Sequence, residues 1–174
     1  ASRGIGQATA VAFAEAGAKA VYITARSNAA LIETQTLVKN ANSDTDCAYM
    51  ACDVTDAASI DSTFDTIEKE WGGLDFVVHA IAYSDKDELK GRYVDTSPEN
   101  FAMTMNISCY SFTAICKRAV PLMKNGGSLL TLTYAGAERV VPHYNVMGVA
   151  KAALEASVRY LAVDLGGENI RVNA

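Results

Sequence analysis

Residues 2–27, SRGIGQATAVAFAEAGAKAVYITARS, decide the fold class. The segment opens on Gly4-Ile5-Gly6, a turn that should follow a strand. Ala8 to Ala16 carries Ala, Val and Phe at helical spacing and stops at Gly17, a residue favoured just past a helix C-terminus because it accepts positive φ. Ala20–Ala25 is short, β-branched and aromatic, bounded by Gly17 and Arg26, and reads as a buried strand. The same alternation continues outward. Strands are predicted at Cys47–Cys52, Leu74–Ala80, Ser128–Thr133 and Ile170–Ala174, and helices at 28–40, 57–70, 98–123 and 144–165. Continuous apolar strands alternating with helices predict an α/β fold, a doubly wound parallel sheet covered on both faces.

With 174 residues and 50% hydrophobic content, the chain can bury one sizeable core. It has no internal repeat, low-complexity run or Pro/Gly-rich linker, so residues 1–174 are expected to form a single domain. The net charge of -5 and pI near 5.0 argue against nucleic acid, whose binding depends on Lys and Arg displacing counterions. Cys47, Cys52, Cys109 and Cys116 form no C-x-x-C pair, which indicates neither a metal site nor a disulfide framework and fits a reducing cytoplasm. No stretch approaches the roughly 20 apolar residues of a membrane span, so no membrane partner is expected. Both ends read as interrupted. The chain enters directly into the glycine turn and stops at Ile170-Arg-Val-Asn-Ala174, within a predicted strand. The expectation is an incomplete domain lacking the first, central strand and the C-terminal strand.

A backbone that approaches a pyrophosphate at a helix N-terminus needs residues without a β-carbon, which Gly4 and Gly6 supply ahead of the Ala8 helix. A plain tight turn is the competing reading. The position, at the first strand-to-helix crossing of a Rossmann-type three-layer sheet, favours a dinucleotide cradled by Ser2, Arg3, Gly4 and Ile5. Arg26 follows the next strand, where an acidic residue would normally bind the ribose hydroxyls of NAD. A basic residue there suits a 2′-phosphate and leans toward NADPH, against the reading of a solvated arginine. Asp53-Val54 ends another strand, where a carboxylate and an amide can pair with adenine, although Asp53 is also a possible helix cap, a role Asp56 fits better. His79-Ala-Ile81-Ala82 offers small residues on which ribose and nicotinamide could pack. His79 itself, alone on an apolar strand, is read as structural.

Tyr144 and Lys151 stand seven apart, two turns of helix, on one face and about 10 Å apart along the axis. Lys151 is a fixed cation able to hold ribose hydroxyls, and Tyr144 a hydrogen-bond donor with an ordinary pKa of about 10. They follow a predicted strand at the carboxyl edge of the sheet, where α/β ligands bind.

The runs Leu130-Thr-Leu-Thr-Tyr134-Ala-Gly-Ala-Glu138 and Tyr144-Asn-Val-Met147-Gly-Val-Ala-Lys151, then Leu154-Glu-Ala156, closely resemble the bacterial enoyl-acyl-carrier-protein reductases of the short-chain dehydrogenase superfamily. Ordinary members of that superfamily place tyrosine four residues before lysine, where this chain has Met147. The enoyl reductases use the seven-residue spacing and a second tyrosine ten residues upstream, matched by Tyr134. The resemblance extends back through His79-Ala-Ile-Ala-Tyr83, Lys90-Gly-Arg-Tyr-Val94 and Ile107-Ser-Cys-Tyr-Ser-Phe112, about two thirds of the chain. In the first third, Ser2 to Gly6 and Val21 to Ser27 are similar to the keto-reducing branch, which leaves NADH and NADPH both open, and further along Asn106 sits where that branch keeps a helix asparagine.

The resemblance implies reduction of a trans-2-enoyl thioester on acyl carrier protein, with hydride delivered from NADH or NADPH to the β-carbon. Tyr144 would donate to the thioester oxygen, Tyr134 would line the acyl pocket, and Lys151 would hold the nicotinamide ribose. Ser84 matches a position whose backbone meets the thioester, and Met147 is assigned to the substrate. The charges of Asp85–Lys90 read as a solvated flap past which the carrier or its pantetheine arm could run. A homotetramer or homodimer is implied when the protein is complete, with Ala152 to Leu165 as a candidate interface. A 3-oxoacyl thioester keto-reductase and a non-catalytic nucleotide-binding domain remain as alternatives. Residues 1–174 alone are expected to bind cofactor poorly, which a titration with NADH and NADPH would check; tight binding would contradict it.

Overall fold

A computed structural model describes residues 1–174, which cluster into two compact units, Ala1–Trp71 and Gly72–Ala174. The first unit runs α1 (Gly4–Glu15), β1 (Ala20–Ala25), α2 (Ala29–Ala41), β2 (Asp46–Ala51) and α3 (Ala57–Trp71). β1 and β2 pair in parallel from Ala20↔Asp46 to Ala25↔Ala51. Side chains alternate across a strand, so Val21 and Ile23 point one way, into a core with Ala10, Ala14, Leu31, Val38 and Cys47. Tyr22 points the other way and meets Trp71 of α3 edge-on at 5.3 Å. Helices therefore cover both faces of this sheet, the arrangement predicted from the apolar strands.

The second unit contains β3 (Phe76–His79), α4 (Pro98–Met105), a π turn (Asn106–Tyr110), α5 (Ser111–Ala119), β4 (Gly127–Thr131), α6 (Asn145–Gly166) and β5 (Ile170–Asn173). Its strands are parallel in the order β3-β4-β5. Ser97 caps α4, its hydroxyl accepting from the Asn100 amide, and Pro98 occupies the first helical position, where its missing N–H costs nothing.

All five strands lie within two residues of their predicted bounds. Three helix boundaries differ. α1 begins at Gly4 rather than Ala8, because the glycines form the first turn of the helix instead of a separate loop. The predicted helix 98–123 is divided by the π turn and ends in a 3-10 turn at Val120–Leu122. Pro121, without an N–H, cannot continue the α-helical ladder, and Ser108 at the π turn is drawn into bonds with the Tyr83 backbone. Tyr144 lies just outside α6, as its N-cap, rather than within the helix.

His79 is 2% exposed, as the structural reading requires. Its Nδ1 lies 3.0 Å from Thr131 Oγ1 and its Nε2 2.8 Å from Ser111 Oγ. Ser111 Oγ donates to the Ile107 carbonyl, so it accepts from an Nε2–H. The ring thus joins β3, β4 and the start of α5 while neutral. Burial, and then the Lys151 charge, lower its pKa from 6.5 to about 4. A depressed pKa contributes stability that is complete above 6.5 and is lost as pH falls toward 4, worth at most about 3 kcal/mol. Denaturant titrations of the whole protein should therefore show a wild-type advantage over His79→Gln that shrinks between pH 6.5 and 4. An advantage independent of pH would mean that His79 is not held neutral.

Candidate active site

In the first unit, the carboxyl ends of β1 and β2 bring the predicted cofactor residues to one sheet edge. Cys52 N donates to Ala25 O at 2.8 Å, which sets Arg26 and Asp53 side by side just beyond the strands. The Ala1 amino group donates to the Thr24 carbonyl, so the chain enters α1 from that same edge. Thr34 Oγ1 donates to Ala1 O at 2.8 Å and accepts from Gln7 Nε2 at 3.0 Å, holding the entry in place. Gly4 has φ +59°, with open space where a β-carbon would point. No side chain caps α1 at Arg3, which leaves its leading amides without a side-chain acceptor. Ser2 is half-buried, whereas Arg3 and Ile5 are exposed, Ile5 at 65%. This is the geometry an anion can occupy.

Asp53 is largely committed to its own turn. Its Oδ1 accepts from Thr55 Oγ1 at 2.7 Å and from Thr55 N at 2.9 Å. Those bonds, and to a lesser degree Arg26, hold its carboxyl below the usual range. Oδ2 remains to accept from a ligand, and half-buried Val54 follows. Asp56 accepts from Ala58 N and so takes the cap-like role at the start of α3.

In the second unit, the end of β4 and the start of α6 bring Tyr134, Tyr144 and Lys151 together. Lys151 is 5% exposed, and its Nζ donates to Leu132 O at 2.7 Å, immediately past β4. Burial lowers its pKa. One carbonyl uses one of its donors and leaves others for a ligand. The rings of Tyr134 and Tyr144 meet edge-on at 5.0 Å. Burial, then Tyr134, raises the Tyr144 pKa, so its phenol stays protonated at neutral pH. Tyr134 is 51% exposed, open to a ligand. Met147, at 6%, is covered by protein, which leaves little of its surface for the predicted substrate contact.

Ser84 follows the same strand end as Ile81, which is half-buried. Its hydroxyl accepts from Thr104 Oγ1 at 2.8 Å and donates to Asn100 Oδ1 at 3.3 Å. The side chain is therefore spent on internal bonds, consistent with a role for its backbone only. Of the charged Asp85–Lys90 run, Lys90 pairs with Asp87 at 3.7 Å on the surface, while Glu88 is turned inward to Ser97 and Asn100. Glu88 is thus a structural anchor, which reading the run as a solvated flap overlooked.

Sequence reasoning also passed over Gly136, Gly148 and Asn145. A β-carbon on Gly136 would lie 2.4 Å from Tyr144 Cδ1, and one on Gly148 would lie 2.8 Å from Gly136 O. The tyrosine ring rests on a surface that only glycine leaves open. A glycine inside the α6 pattern, where it costs about 1 kcal/mol against alanine, was the available signal for Gly148. His143 and Asn145 flank Tyr144 with φ of 60° and 33°. Such angles are uncommon outside glycine, though histidine and asparagine adopt them more readily than most residues. The groove beside Tyr144, about 390 Å³, is lined by Tyr93, Gly136, Val140, Asn145, Gly148 and Val149 among others.

The family model described as enoyl-(acyl carrier protein) reductase matches residues 1–174. Among curated proteins, enoyl-[acyl-carrier-protein] reductase [NADH] 1 of Rhizobium meliloti is 59% identical over 99% of this chain and 62% of its own length. The FabI enoyl-[acyl-carrier-protein] reductase [NADH] of Bacillus subtilis is 52% identical over 74% of this chain and 50% of its own. The chain thus spans less than two thirds of these relatives. Among solved structures, the Anaplasma phagocytophilum enoyl-acyl-carrier-protein reductase in complex with NAD is 57% identical, with a TM-score of 0.87 over 97% of this chain and 64% of that one. The Bacillus cereus enoyl-acyl carrier protein reductase with NADP+ and an indole naphthyridinone is 43% identical, with the same TM-score and coverage.

The packing of Tyr144 on Gly136 carries a direct test. Gly136→Ala should push the Tyr144 ring off Tyr134 and cost about 1–3 kcal/mol, read from a crystal structure of the variant and its thermal denaturation. Both rings found in their present places would show that the 135–137 turn yields instead.

Proposed function

Because the chain belongs to the enoyl-(acyl carrier protein) reductase family, we propose that the whole protein reduces the double bond of a trans-2-enoyl thioester carried on acyl carrier protein, in fatty-acid synthesis. The observation that carries this reading is the edge-on Tyr134–Tyr144 pair beside buried Lys151, with Met147 at the position that ordinary members of the short-chain dehydrogenase superfamily give to tyrosine. A nicotinamide dinucleotide, when bound, supplies the hydride.

The chain's own residues prepare the surroundings. In the first unit, the uncapped amides of α1 at Gly4 and Ile5, with Ser2 and Arg3, receive phosphate, and Asp53 Oδ2 with the Val54 amide receives adenine. In the second unit, the free donors of Lys151 hold ribose hydroxyls, and the backbone at Ile81 offers a surface for nicotinamide. As the β-carbon is reduced, negative charge develops on the thioester oxygen. Tyr144, kept protonated by burial, donates a hydrogen bond to it. Tyr134 and the wall around Met147 accommodate the acyl chain, and the Ser84 backbone meets the thioester.

NADH is the reductant this reading favours, supported by the names of the Rhizobium and Bacillus subtilis relatives. Exposed Arg26 could attract a 2′-phosphate, but the neighbouring Asp53 carboxylate opposes that charge. The remaining elements of the proposal are a single dinucleotide-binding catalytic domain over 1–174, a cytoplasmic location and a homotetramer or homodimer. Exposed Tyr160 and Val163 on α6 suit such an interface, and no helix is long and apolar enough to cross a membrane.

Oxidation of NADH and of NADPH by the whole protein, followed separately with crotonyl and acetoacetyl thioesters, tests the reading. Turnover is expected with the crotonyl thioester and NADH, and Tyr144→Phe should lower kcat by about 100-fold, roughly 3 kcal/mol. Turnover with the acetoacetyl thioester alone would establish the keto-reductase instead.

A further inference from the structure

A chain of hydrogen bonds runs from the residue after Tyr144 into the segment that follows β3. Asn145 Nδ2 donates to Gly91 O at 2.8 Å and to Glu88 O at 3.1 Å, which uses both hydrogens of the amide. The Glu88 carboxylate accepts from Ser97 N, Ser97 Oγ and Asn100 Nδ2 at 2.9, 2.7 and 3.1 Å. The other end of the Asn100 side chain, Oδ1, accepts from Asp85 N at 3.0 Å and from Ser84 Oγ at 3.3 Å. Three side chains thus connect the peptide at Tyr144 with the Ser84 hydroxyl and the Asp85 amide. Lys86 and Lys90 lie within the enclosed segment and Arg92 directly follows it, and all three are exposed.

Asn145 also has φ 33°, a conformation asparagine tolerates better than most residues. The amide and the backbone angle are separable. Glycine would keep the angle and lose the amide, and aspartate would keep the shape but place a carboxylate against two carbonyl oxygens, where it cannot donate.

We propose that Asn145 is a positioning residue for thioester reduction, tethering the Ser84–Gly91 segment to the catalytic tyrosine so that both meet the substrate in one register. The proposal rests on the enoyl reductase reading and adds to it a residue that touches no reacting atom. Register matters because preorganised contacts lower the cost of binding, so the thioester binds well only where the segment and Tyr144 meet it together.

The test uses the whole protein with Asn145→Gly and Asn145→Asp, and with Glu88→Ala, which cuts the chain midway without altering α6. For all three, kcat/KM with the crotonyl thioester should fall about tenfold, mainly through KM, while KM for NADH stays unchanged. Tryptic cleavage after Lys86, Lys90 or Arg92 should become at least tenfold faster, at a thermal midpoint confirming that each variant is folded. Wild-type KM and wild-type cleavage in Asn145→Gly would overturn the tether. Rapid cleavage without a change in thioester KM would overturn its positioning role. If the wild-type protein reduces no enoyl thioester, the enoyl reductase reading fails, whereas the cleavage rates still report on the tether.

Discussion

The bond from Lys151 Nζ to the Leu132 carbonyl is the constraint around which the second unit is arranged. Removing an ammonium from water costs several kcal/mol unless a partner receives it, so the lysine can be buried only where a carbonyl is free. The end of β4 provides one, because the strand's ladder stops at Thr131. The bond ties α6 to the end of β4 on the face where Met147, Ala150 and Leu154 are also buried. The same cation disfavours a second charge nearby, which contributes to holding His79 neutral between Thr131 and Ser111. Strand end, lysine, histidine and π turn therefore share one electrostatic logic.

Around Tyr144 the backbone is less relaxed than elsewhere. Positive φ at His143 and Asn145, a glycine floor at Gly136 and Gly148, and the edge-on ring of Tyr134 confine one phenol from several directions. Positions of this kind cost of order 1–3 kcal/mol each and persist because neighbouring contacts over-determine them. In compensation, the tyrosine has little conformational freedom left, and its phenol is a preorganised hydrogen-bond donor.

Much of this was legible in the residue order. Continuous apolar strands such as Ala20–Ala25 leave no polar face, so they can only be buried by helices on both sides. The seven-residue spacing of Tyr144 and Lys151, with Met147 between them, carries the family in the sequence itself. Pro121 marks the later break of the 98–123 helix in the sequence itself, whereas the π turn was not legible, because Ser108 is compatible with an uninterrupted helix until its hydroxyl finds the Tyr83 backbone as a partner. Glu88 was read as surface charge for the same reason.

Local rules therefore account for the elements, their alternation and the residue types at the reacting centre, since helix period, strand period and glycine tolerance act over a few positions. The tertiary structure alone decided which carbonyl receives Lys151, which ring covers Tyr144, and that Asn145 reaches across 54 residues to Gly91. Those contacts join segments distant in the chain. Their geometry exists only once the parallel ladder of β3, β4 and β5 has fixed where each strand ends.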